Sequence, residues 1–312
     1  MLFACGGLPL LVNAMPLSTR DFNPFLSGFE LPPALPAVID DISDIVSINY
    51  AISNIALEQR AENQHVFADA ELHRWQVGMA HGISQRWCIA IEMPYQSISG
   101  GTLDHFIEHF HSDLSLPNGD RASWPRNRLL LKYDVANQTL YQLDTPHSGI
   151  GDMTLRAGWQ VPTASAYASM VWFSVKLPTG NARQLSGSGA TDFALTLSNE
   201  QHANAAFNFY EQLSLSWLGL GPRLPAEQRR IVWSGMVAAS WSLTHSVNFL
   251  AQIDSHTSAF NSRIRLLGPA LQFSIGPKYQ AGKWSTSLFI TEDLAVDTAP
   301  DVQFQFTLAR RF

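Results

Sequence analysis

The carboxy-terminal stretch Asp301–Phe312 reads Asp-Val-Gln-Phe-Gln-Phe-Thr-Leu-Ala-Arg-Arg-Phe. Val302, Phe304, Phe306, Leu308 and Phe312 share one parity, and the residues between them are mostly polar or small. Side chains alternate between the two faces of a β-strand, so this stretch predicts a strand with one apolar and one polar face. A soluble sheet could show the same alternation, and the rest of the chain has to decide between the two classes.

The alternation recurs along the chain in twelve segments. They are Asp44–Glu58, Asp69–Ala80, Arg86–Gln96, Gly149–Val161, Tyr167–Pro178, Thr191–Glu200, Phe207–Leu218, Arg230–Leu243, Val247–Ser258, Gly268–Gln280, Trp284–Asp293 and Asp301–Phe312. A membrane sheet must repeat the pattern until its edges meet, because hydrocarbon cannot hydrogen-bond to an open edge. The pattern predicts an all-β fold, a transmembrane antiparallel up-and-down β-barrel of about twelve strands over residues 44–312. Glu211 falls on an apolar face, and we expect a bulge or a local register shift there.

The connections between these segments alternate in length. The short ones are His81–Gln85, Pro162–Ala166, Gln201–Ala206, Thr244–Ser246 and Ala281–Lys283, whereas those between them, beginning with Gln59–Ala68, are mostly longer. Outer-membrane barrels have short periplasmic turns and longer outer loops. A terminal aromatic such as Phe312 also resembles the assembly signal of Gram-negative outer-membrane barrels. We therefore expect a place in that membrane, with its lipid, its lipopolysaccharide and the barrel-assembly machinery as partners.

Aromatic residues provide an independent test of the same fold. On the apolar parity, one group lies near the predicted periplasmic rim and another near the outer rim. The first comprises Trp87, Trp159, Tyr167, Trp241, Tyr279, Trp284 and Phe312, and the second Tyr95, Trp217 and Trp233. Trp and Tyr favour the boundary between membrane and water because one end of the ring is apolar and the other can hydrogen-bond. A soluble sandwich, the alternative, would scatter these rings through its core.

Composition excludes several other classes. Charged residues make up 15% of the chain, below the roughly 25% of soluble domains. No apolar run reaches the roughly 18 residues of a spanning helix. The net charge of -6 provides no basic surface for nucleic acid. Cys5 and Cys88 are the only cysteines, so no disulfide framework or thiolate metal site is expected.

The amino-terminal part divides into two segments. Residues 1–14 contain an apolar stretch and a small-residue cleavage pattern at Val12-Asn13-Ala14, which predicts the remnant of a signal peptide. The basic region of such a peptide is missing, and a buried strand or short helix is the alternative. Residues 15–43 are rich in proline and show no period. We expect an irregular leader, either in the periplasm or inside the barrel.

One connection is much longer than the others, at residues 98–148. Leu103, Phe106, Ile107, Phe110 and Leu114 recur at helical spacing, which predicts a short amphipathic helix over 102–114. A small hairpin is expected to follow, turning at Ala136-Asn137-Gln138. Long loops in compact proteins are commonly lids or constrictions. His105 and His109, with His111 nearby, could hold a metal ion, but the polar face of a surface helix is the simpler interpretation.

Several stretches together resemble a known family. They are Leu103-Asp104, Leu116-Pro117-Asn118-Gly119, Ser148-Gly149-Ile150-Gly151-Asp152, Lys176-Leu177-Pro178-Thr179-Gly180, Asp254-Ser255-His256-Thr257-Ser258 and Glu292-Asp293 with Ala299-Pro300-Asp301. In this order they resemble the Gram-negative family called domain of unknown function 3187. The Gly-Ile-Gly-Asp and Lys-Leu-Pro-Thr-Gly elements are also similar to the phenol-degradation outer-membrane family. The resemblance implies an outer-membrane barrel and no established activity.

The polar parity carries the charged residues that should line the lumen. They are Arg74, Glu92, Asp152, Arg156, Lys176, Asp192, Asp254, His256, Lys278, Asp293 and Arg311. Mixed charges inside a barrel of this size can form a water-lined passage or an ion-pair network that fills it. The sequence leaves both open.

A catalytic alternative rests on the spacing of His256 and Ser258. The pair resembles, in spacing only, that of outer-membrane phospholipases and lipid A deacylases. His256 would act as base and Ser258 as nucleophile, with Asp293 or Glu292 orienting the ring. However, both residues lie on the parity assigned to the lumen, whereas those enzymes direct the pair toward lipid. A polar cluster at the rim is the simpler interpretation.

Three functions therefore remain, and none requires a cofactor. The first is a pore or transport protein for small-molecule solutes, with 98–148 as cover or constriction. The second is a lipid-modifying hydrolase that uses His256 and Ser258. The third is a closed structural or surface-interaction barrel.

Overall fold

The structure is a computed structural model, and it describes residues 15–38, 43–105, 109, 124–162, 167–204, 206–295, 297–300 and 302–312. The fifteen strands are β1 (Asp44–Ala61), β2 (Gln64–Gly82), β3 (Trp87–Ser99), β4 (Leu130–Val135), β5 (Gln138–Leu143), β6 (His147–Ile150), β7 (Met153–Val161), β8 (Tyr167–Leu177), β9 (Asp192–His202), β10 (Phe207–Trp217), β11 (Ile231–Ser242), β12 (Val247–His256), β13 (Ala270–Ala281), β14 (Trp284–Asp293) and β15 (Val302–Arg311). Two short 3-10 helices cover Ala182–Gln184 and Arg265–Leu267. No helix in the described ranges is long and apolar enough to cross a membrane.

Twelve of these strands close into an antiparallel barrel. β1 pairs with β2 at one edge and with β15 at the other, so that Tyr50 lies between Trp75 and Phe306. The ring continues from β2 through β3 and β7 to β15. The strand that ends the chain therefore completes the sheet, and the predicted twelve-stranded barrel is confirmed. The rim with the short connections is called the turn rim below, and the opposite one the loop rim.

The barrel is apolar outside and polar inside. On β9 and β10 the outward side chains of Leu195 and Leu213 are 54% and 55% exposed, whereas the inward Thr196 and Ser214 are buried and hydrogen-bonded to each other. Aromatic rings stack between outward positions of neighbouring strands, for example Phe207 on Trp241 with ring centroids 6.2 Å apart. This distribution is the reverse of a soluble domain, in which the interior is apolar. It is the distribution that the alternating sequence predicts.

At the loop rim, β1 and β2 extend beyond the ring as an overhang, defined here as residues 54–61 and 64–71. The apolar face changes side along β1. Ile48 and Ile52 lie on the outward parity, whereas Ile55 and Leu57 lie on the inward parity and are buried. β4 pairs with the overhang part of β2, and β5 pairs with β4, so four strands form a raised wall. The predicted hairpin is confirmed, with its turn at Ala136 and Asn137, both at positive φ.

Two details of the sequence prediction are wrong. The connection Gln59–Ala68 is a two-residue turn at Glu62 and Asn63, because the overhang continues the sheet while its apolar parity is inverted. In addition, no bulge surrounds Glu211, since β10 keeps one register with β9 and β11 over its length. Glu211 is therefore an exposed, outward-facing residue.

The predicted segment Gly149–Val161 is interrupted. β6 and β7 flank Gly151 and Asp152, which lie opposite Met93 and Pro94 of β3. Proline has no N–H to donate, and the chain opposite it bulges by one residue. The Gly151 N–H donates to the Pro94 carbonyl, 2.8 Å away, and the wall stays continuous.

The long connection is attached to the outside of the overhang. The Glu71 carboxylate accepts hydrogen bonds from the backbone N–H groups of Thr102 and Leu103, and Asp104 accepts one from Asn127. Most of the predicted helix 102–114 lies outside the described residues, as does the predicted signal peptide 1–14. The ends of the insertion are thus fixed to the wall just above the outward ring of Trp75.

Candidate functional site

The lumen contains residues 15–38, which are called the luminal segment below. Its first limb rises along β12: the Leu17 N–H donates to Gln252 and the Thr19 hydroxyl to Asp254. The second limb returns toward the turn rim, where Gln160 donates to the carbonyl of Ala37. The segment therefore passes through the barrel twice and turns beneath the loop rim.

Glutamine side chains of the wall hold the two limbs by their backbone. Gln252 accepts from the Leu17 N–H and donates to the Leu17 carbonyl, 2.9 and 3.0 Å away. Gln212 does the same with the Leu35 N–H and the Pro33 carbonyl, at 2.8 and 2.9 Å. Prolines at 16, 24, 32, 33 and 36 cannot donate a hydrogen bond, so this segment cannot pair as a strand. Each amide instead supplies the donor and acceptor that a neighbouring strand would.

Arg20 and Asp21 connect opposite sides of the lumen. Arg20 Nη2 lies 3.1 Å from Glu92 Oε2 on β3, and Asp21 Oδ2 lies 2.9 Å from His256 Nε2 on β12. β3 and β12 are six positions apart in the ring of twelve strands, which places them across the barrel from each other. These two adjacent residues thus bridge opposite walls of the lumen, in the half of the barrel nearer the loop rim.

The second limb is held by a buried ion-pair cluster. Glu30 Oε1 lies 3.0 Å from Arg156 Nη2, and Arg156 Nη1 lies 2.8 Å from Glu92 Oε1. The Glu30 N–H also donates to Asp192. Removing one partner of a buried pair typically costs about 3–5 kcal/mol, because the other charge stays buried without compensation. These contacts therefore specify one position of the segment.

Two motifs of the sequence, Ser-Gly-Ile-Gly-Asp at 148–152 and Lys-Leu-Pro-Thr-Gly at 176–180, meet at the loop rim. Their charged residues Asp152 and Lys176, together with Asp192, form what we call the clasp. Lys176 Nζ lies 2.7 Å from Asp152 Oδ2 and 3.1 Å from Asp192 Oδ2, and it donates to the carbonyl of Gly28. Asp152 also accepts from the N–H groups of Gly180 and Ser188. Gly28 has φ +90°, and a Cβ there would lie 2.6 Å from the carbonyl carbon of Gly187. Only glycine permits this approach of the segment to the 180–189 loop.

An apolar cap covers the loop mouth. Its members come from the luminal segment, the raised wall and the loops, and include Phe22, Phe25, Leu26, Phe29, Ile55, Leu57, Val66, Leu131, Tyr133, Leu218, Leu224, Phe260 and Leu266. Arg223 donates to the carbonyls of Phe25 and Ser27, 2.9 and 2.8 Å away. Burial lowers the pKa of this guanidinium to about 10, so it remains charged at neutral pH. The turn of the segment is therefore fixed within the cap.

Little space remains between the segment and the wall. Cavities of about 30 and 40 Å³ lie on the two sides of Arg20 and Asp21. About 10–15 Å³ of space of this kind holds one ordered water, so each cavity has room for roughly two to four waters. In this conformation, these two spaces are too small for a solute.

Elsewhere the wall presents polar groups without partners. On β15, Gln303 and Gln305 are 0% and 1% exposed, and among the described residues neither amide atom of either side chain has a hydrogen-bond partner. The hydrogen bonds described above join the segment to strands on the other side of the ring. The interior on this side of the ring is therefore polar, and the described contacts of the luminal segment lie elsewhere.

The predicted lumen-facing residues divide into two groups. Arg74, Glu92, Asp152, Arg156, Lys176, Asp192, Asp254 and His256 lie inside the barrel, and most of them bind the segment or the clasp. Lys278 and Arg311 are half-buried near the turn rim. Asp293 lies at the loop rim, where it accepts from the N–H groups of Thr298 and Ala299. Their partners in the leader were not predicted from the sequence.

The predicted catalytic residues are not assembled. His256 Nε2 is paired with Asp21, and its Nδ1 lies 3.0 Å from the Thr257 carbonyl. Asp293 is engaged with the loop that follows it, and Ser258 is not among the partners of His256 in the described part of the chain. His105 and His109 place their Nε2 atoms 3.2 Å apart, but the described residues contain no group of three or more His, Cys, Asp or Glu that could hold a metal ion.

Residues 10–312 match the family described as Protein of unknown function (DUF3187). The chain belongs to this family. The matched range includes the luminal segment, the clasp and every strand of the barrel. No curated protein matches this DUF3187 chain.

A solved structure shares the fold of the DUF3187 chain. A crystal structure of the COG4313 outer membrane channel from Pseudomonas putida F1 aligns with a TM-score of 0.62 at 13% identity, covering 91% of this chain and 100% of that one. The NanC porin aligns with a TM-score of 0.46 at 9% identity, over 86% and 98% of the two chains. The first of these shows that the barrel has the fold of an outer-membrane channel protein.

Proposed function

We propose that this protein is an outer-membrane channel for small molecules, and that the luminal segment closes it in the present conformation. The observation that carries the proposal is the space inside the ring. With all inward side chains in place, the barrel still accommodates two passes of a polypeptide. Withdrawal of residues 15–38 would leave a passage of that cross-section.

The lining of that passage supports the proposal. Small barrels fill their interior with side chains of the wall. Here the wall contributes Gln, Ser, Thr and paired charges, as a water-lined lumen requires, and a separate segment fills the space. Its limbs are attached largely through hydrogen bonds and ion pairs, which water can replace. The segment therefore suits a removable plug better than a permanent core.

The outward face supports the membrane location. Exposed Leu, Val, Phe, Trp and Tyr cover the ring between the two rims, and only hydrocarbon makes such a surface favourable over this area. The short connections would face the periplasm and the raised wall the outside. Contact of the loop rim with lipopolysaccharide, and of the strand ending at Phe312 with the assembly machinery, follows from that orientation.

Conductance in planar bilayers tests the channel. We expect the wild-type protein to open intermittently as the segment leaves. The matched variant replaces Asp21 and His256 by cysteine in a background without Cys5 and Cys88, both changed to alanine. A short bis-methanethiosulfonate reagent joins the two positions, because each cysteine thiol displaces a sulfinate and forms a disulfide that reduction cleaves. Cross-linking should abolish the openings and reduction should restore them. The two single-cysteine variants, treated with the same reagent, are the controls.

The apolar cap favours a second candidate, a closed structural or surface-interaction barrel. A packed cap over the loop mouth is expected of a protein that presents its loops and conducts nothing. If the wild-type protein stays silent in bilayers, and its liposomes do not swell in small sugars or amino acids, this candidate replaces the channel.

A further inference from the structure

Glu211 is a carboxylate on the apolar outer face of the barrel. Tyr210 and Gln212 beside it point inward and are buried, whereas Glu211 is exposed. It lies four residues from Phe207, which stacks on Trp241 at the turn rim, and six from Trp217 near the loop rim. Four residues of a tilted strand correspond to about 9 Å of height. Glu211 therefore lies well inside the apolar belt.

The neighbours of Glu211 on the same face are also polar. Asn199 of β9 lies directly across from it, and Ser169 of β8 lies across from Asn199. Neither Glu211 nor the Asn199 side chain has a hydrogen bond or ion pair within the described part of the chain. On the other side, β11 contributes Val237, with Gly235 and Ala239 above and below. The outer face of β8–β11 thus has a polar row, surrounded by apolar side chains and beside two small residues.

Hydrocarbon cannot satisfy this row. Ionisable residues within a membrane are rare, and they usually have a polar partner. Polar side chains and small residues are typical of contacts between protein surfaces inside a membrane, where they hydrogen-bond and allow close approach. The row contains an acceptor in Glu211 and donors in Asn199 and Ser169. A two-fold axis parallel to the barrel axis would bring each acceptor of one copy to the donors of another.

We propose that the outer face of β8–β11 is the contact surface between two copies of this chain. In this dimer, Glu211 of each copy accepts a hydrogen bond from the Asn199 amide of the other. Leu197, Phe209, Leu213 and Val237 exclude lipid around the polar row. A second copy is the partner that fits because the surface is complementary to itself under a two-fold rotation. The proposal does not depend on whether the lumen opens.

Single-molecule photobleaching of the full-length protein in lipid bilayers measures the dimer directly. We expect two-step bleaching for the wild type, and retention of it in Glu211→Gln, whose amide still accepts. Glu211→Leu should raise the dissociation constant at least tenfold. Leu271→Ala, on the outer face of β13, is the matched control and should leave the constant unchanged.

Cysteine cross-linking identifies the surface. In a background with Cys5 and Cys88 both changed to alanine, Leu213→Cys should form disulfide-linked pairs in native membranes under mild oxidation, whereas Val77→Cys on β2 should not. The proposal is overturned if the wild type bleaches in one step at every protein-to-lipid ratio. It is equally overturned if Glu211→Leu dimerises as the wild type does, or if the two cysteines cross-link alike.

Discussion

The Glu30 carboxylate of the luminal segment lies 3.0 Å from the Arg156 guanidinium of β7, and each side chain is 1% exposed. Glu30→Gln removes the carboxylate from this pair, while the guanidinium keeps Glu92, so docking of the segment should weaken by about 1.5–3 kcal/mol, as for loss of a hydrogen bond to a charged group. Trypsin measures the effect because Arg20, now held by Glu92, is a cleavage site within the segment. We expect slow cleavage after Arg20 in the wild type and fast cleavage in the variant.

Glu58→Gln is the control for that experiment. Glu58 pairs with Arg60 at 2.8 Å, but the Arg60 side chain is 73% exposed on the overhang. Exposed pairs contribute about 0–1 kcal/mol, so cleavage after Arg20 should stay slow. Equal rates in the two variants would show that the Glu30 pair does not hold the segment.

Lys176→Met should destabilise the whole barrel. The substitution leaves Asp152 and Asp192 buried beside each other without their shared cation, at an expected cost of about 3–5 kcal/mol. Lys132→Met is the control, since Lys132 pairs with Asp134 on the raised wall with its side chain 32% exposed. Urea unfolding in lipid vesicles, followed by tryptophan fluorescence, measures both. A midpoint shift of the same size in both variants would contradict the role of the clasp.

Gly28→Ala tests whether the luminal segment needs glycine for its close approach to the 180–189 loop, or only for the positive φ at this position. Gly28 and Gly282 both have positive φ, at which alanine costs about 1–2 kcal/mol. A Cβ at Gly28 would also meet the backbone of Gly187, whereas Gly282 has nothing within 4 Å. We therefore expect Gly28→Ala to lower the unfolding midpoint more than Gly282→Ala and to expose Arg20 to trypsin. If the two alanines behave alike, the segment does not require this approach.

Acid should release the ends of the long insertion. Burial raises the pKa of the Glu71 carboxyl, but hydrogen bonds from His73, Leu103 and Thr102 outweigh it, and the net pKa lies below the ordinary value. A lowered carboxyl pKa stabilises the folded state above the unfolded pKa, about 4.5, and this contribution is lost as the pH falls through the folded value. Cleavage of the insertion by pepsin should accelerate over that range. Because pepsin itself is active only in acid, the wild type is compared with Glu71→Gln at each pH: the variant should be cleaved faster at the upper end of the range, and the two rates should converge as the pH falls.

Period-two alternation predicted the barrel because the outward face of each strand experiences one environment from rim to rim. The prediction failed where that environment changes. On β1, Ile55 and Leu57 belong to the cap and lie on the opposite parity from Ile48, so the pattern breaks while the strand continues. At Glu211 the sequence rule favoured a bulge, although the strand is regular and the residue itself is unusual.

The luminal segment could be predicted only in part. Its prolines excluded a strand and indicated an irregular leader, but they did not indicate which wall residues it binds. Gln212 and Gln252 carry no motif, and their role depends on a fold that brings residues more than 170 positions apart into contact. Lys176 and Asp152 were visible as parts of motifs. The hydrogen bond from Lys176 to the Gly28 carbonyl was not.

The inversion of polarity on β1 and β2 also determines how deep the barrel sits. On β2, Trp75 is the last apolar outward residue before His73 and Glu71, and the Tyr50 ring packs against it at a tilt of 35° with ring centroids 4.4 Å apart. Sinking by one residue pair would bring the His73 imidazole to the depth that Trp75 occupies, with the Glu71 carboxylate next behind it, and rising by one would lift two aromatic rings into water. This side of the molecule is therefore anchored at one height, and any tilt of the barrel must pivot about it.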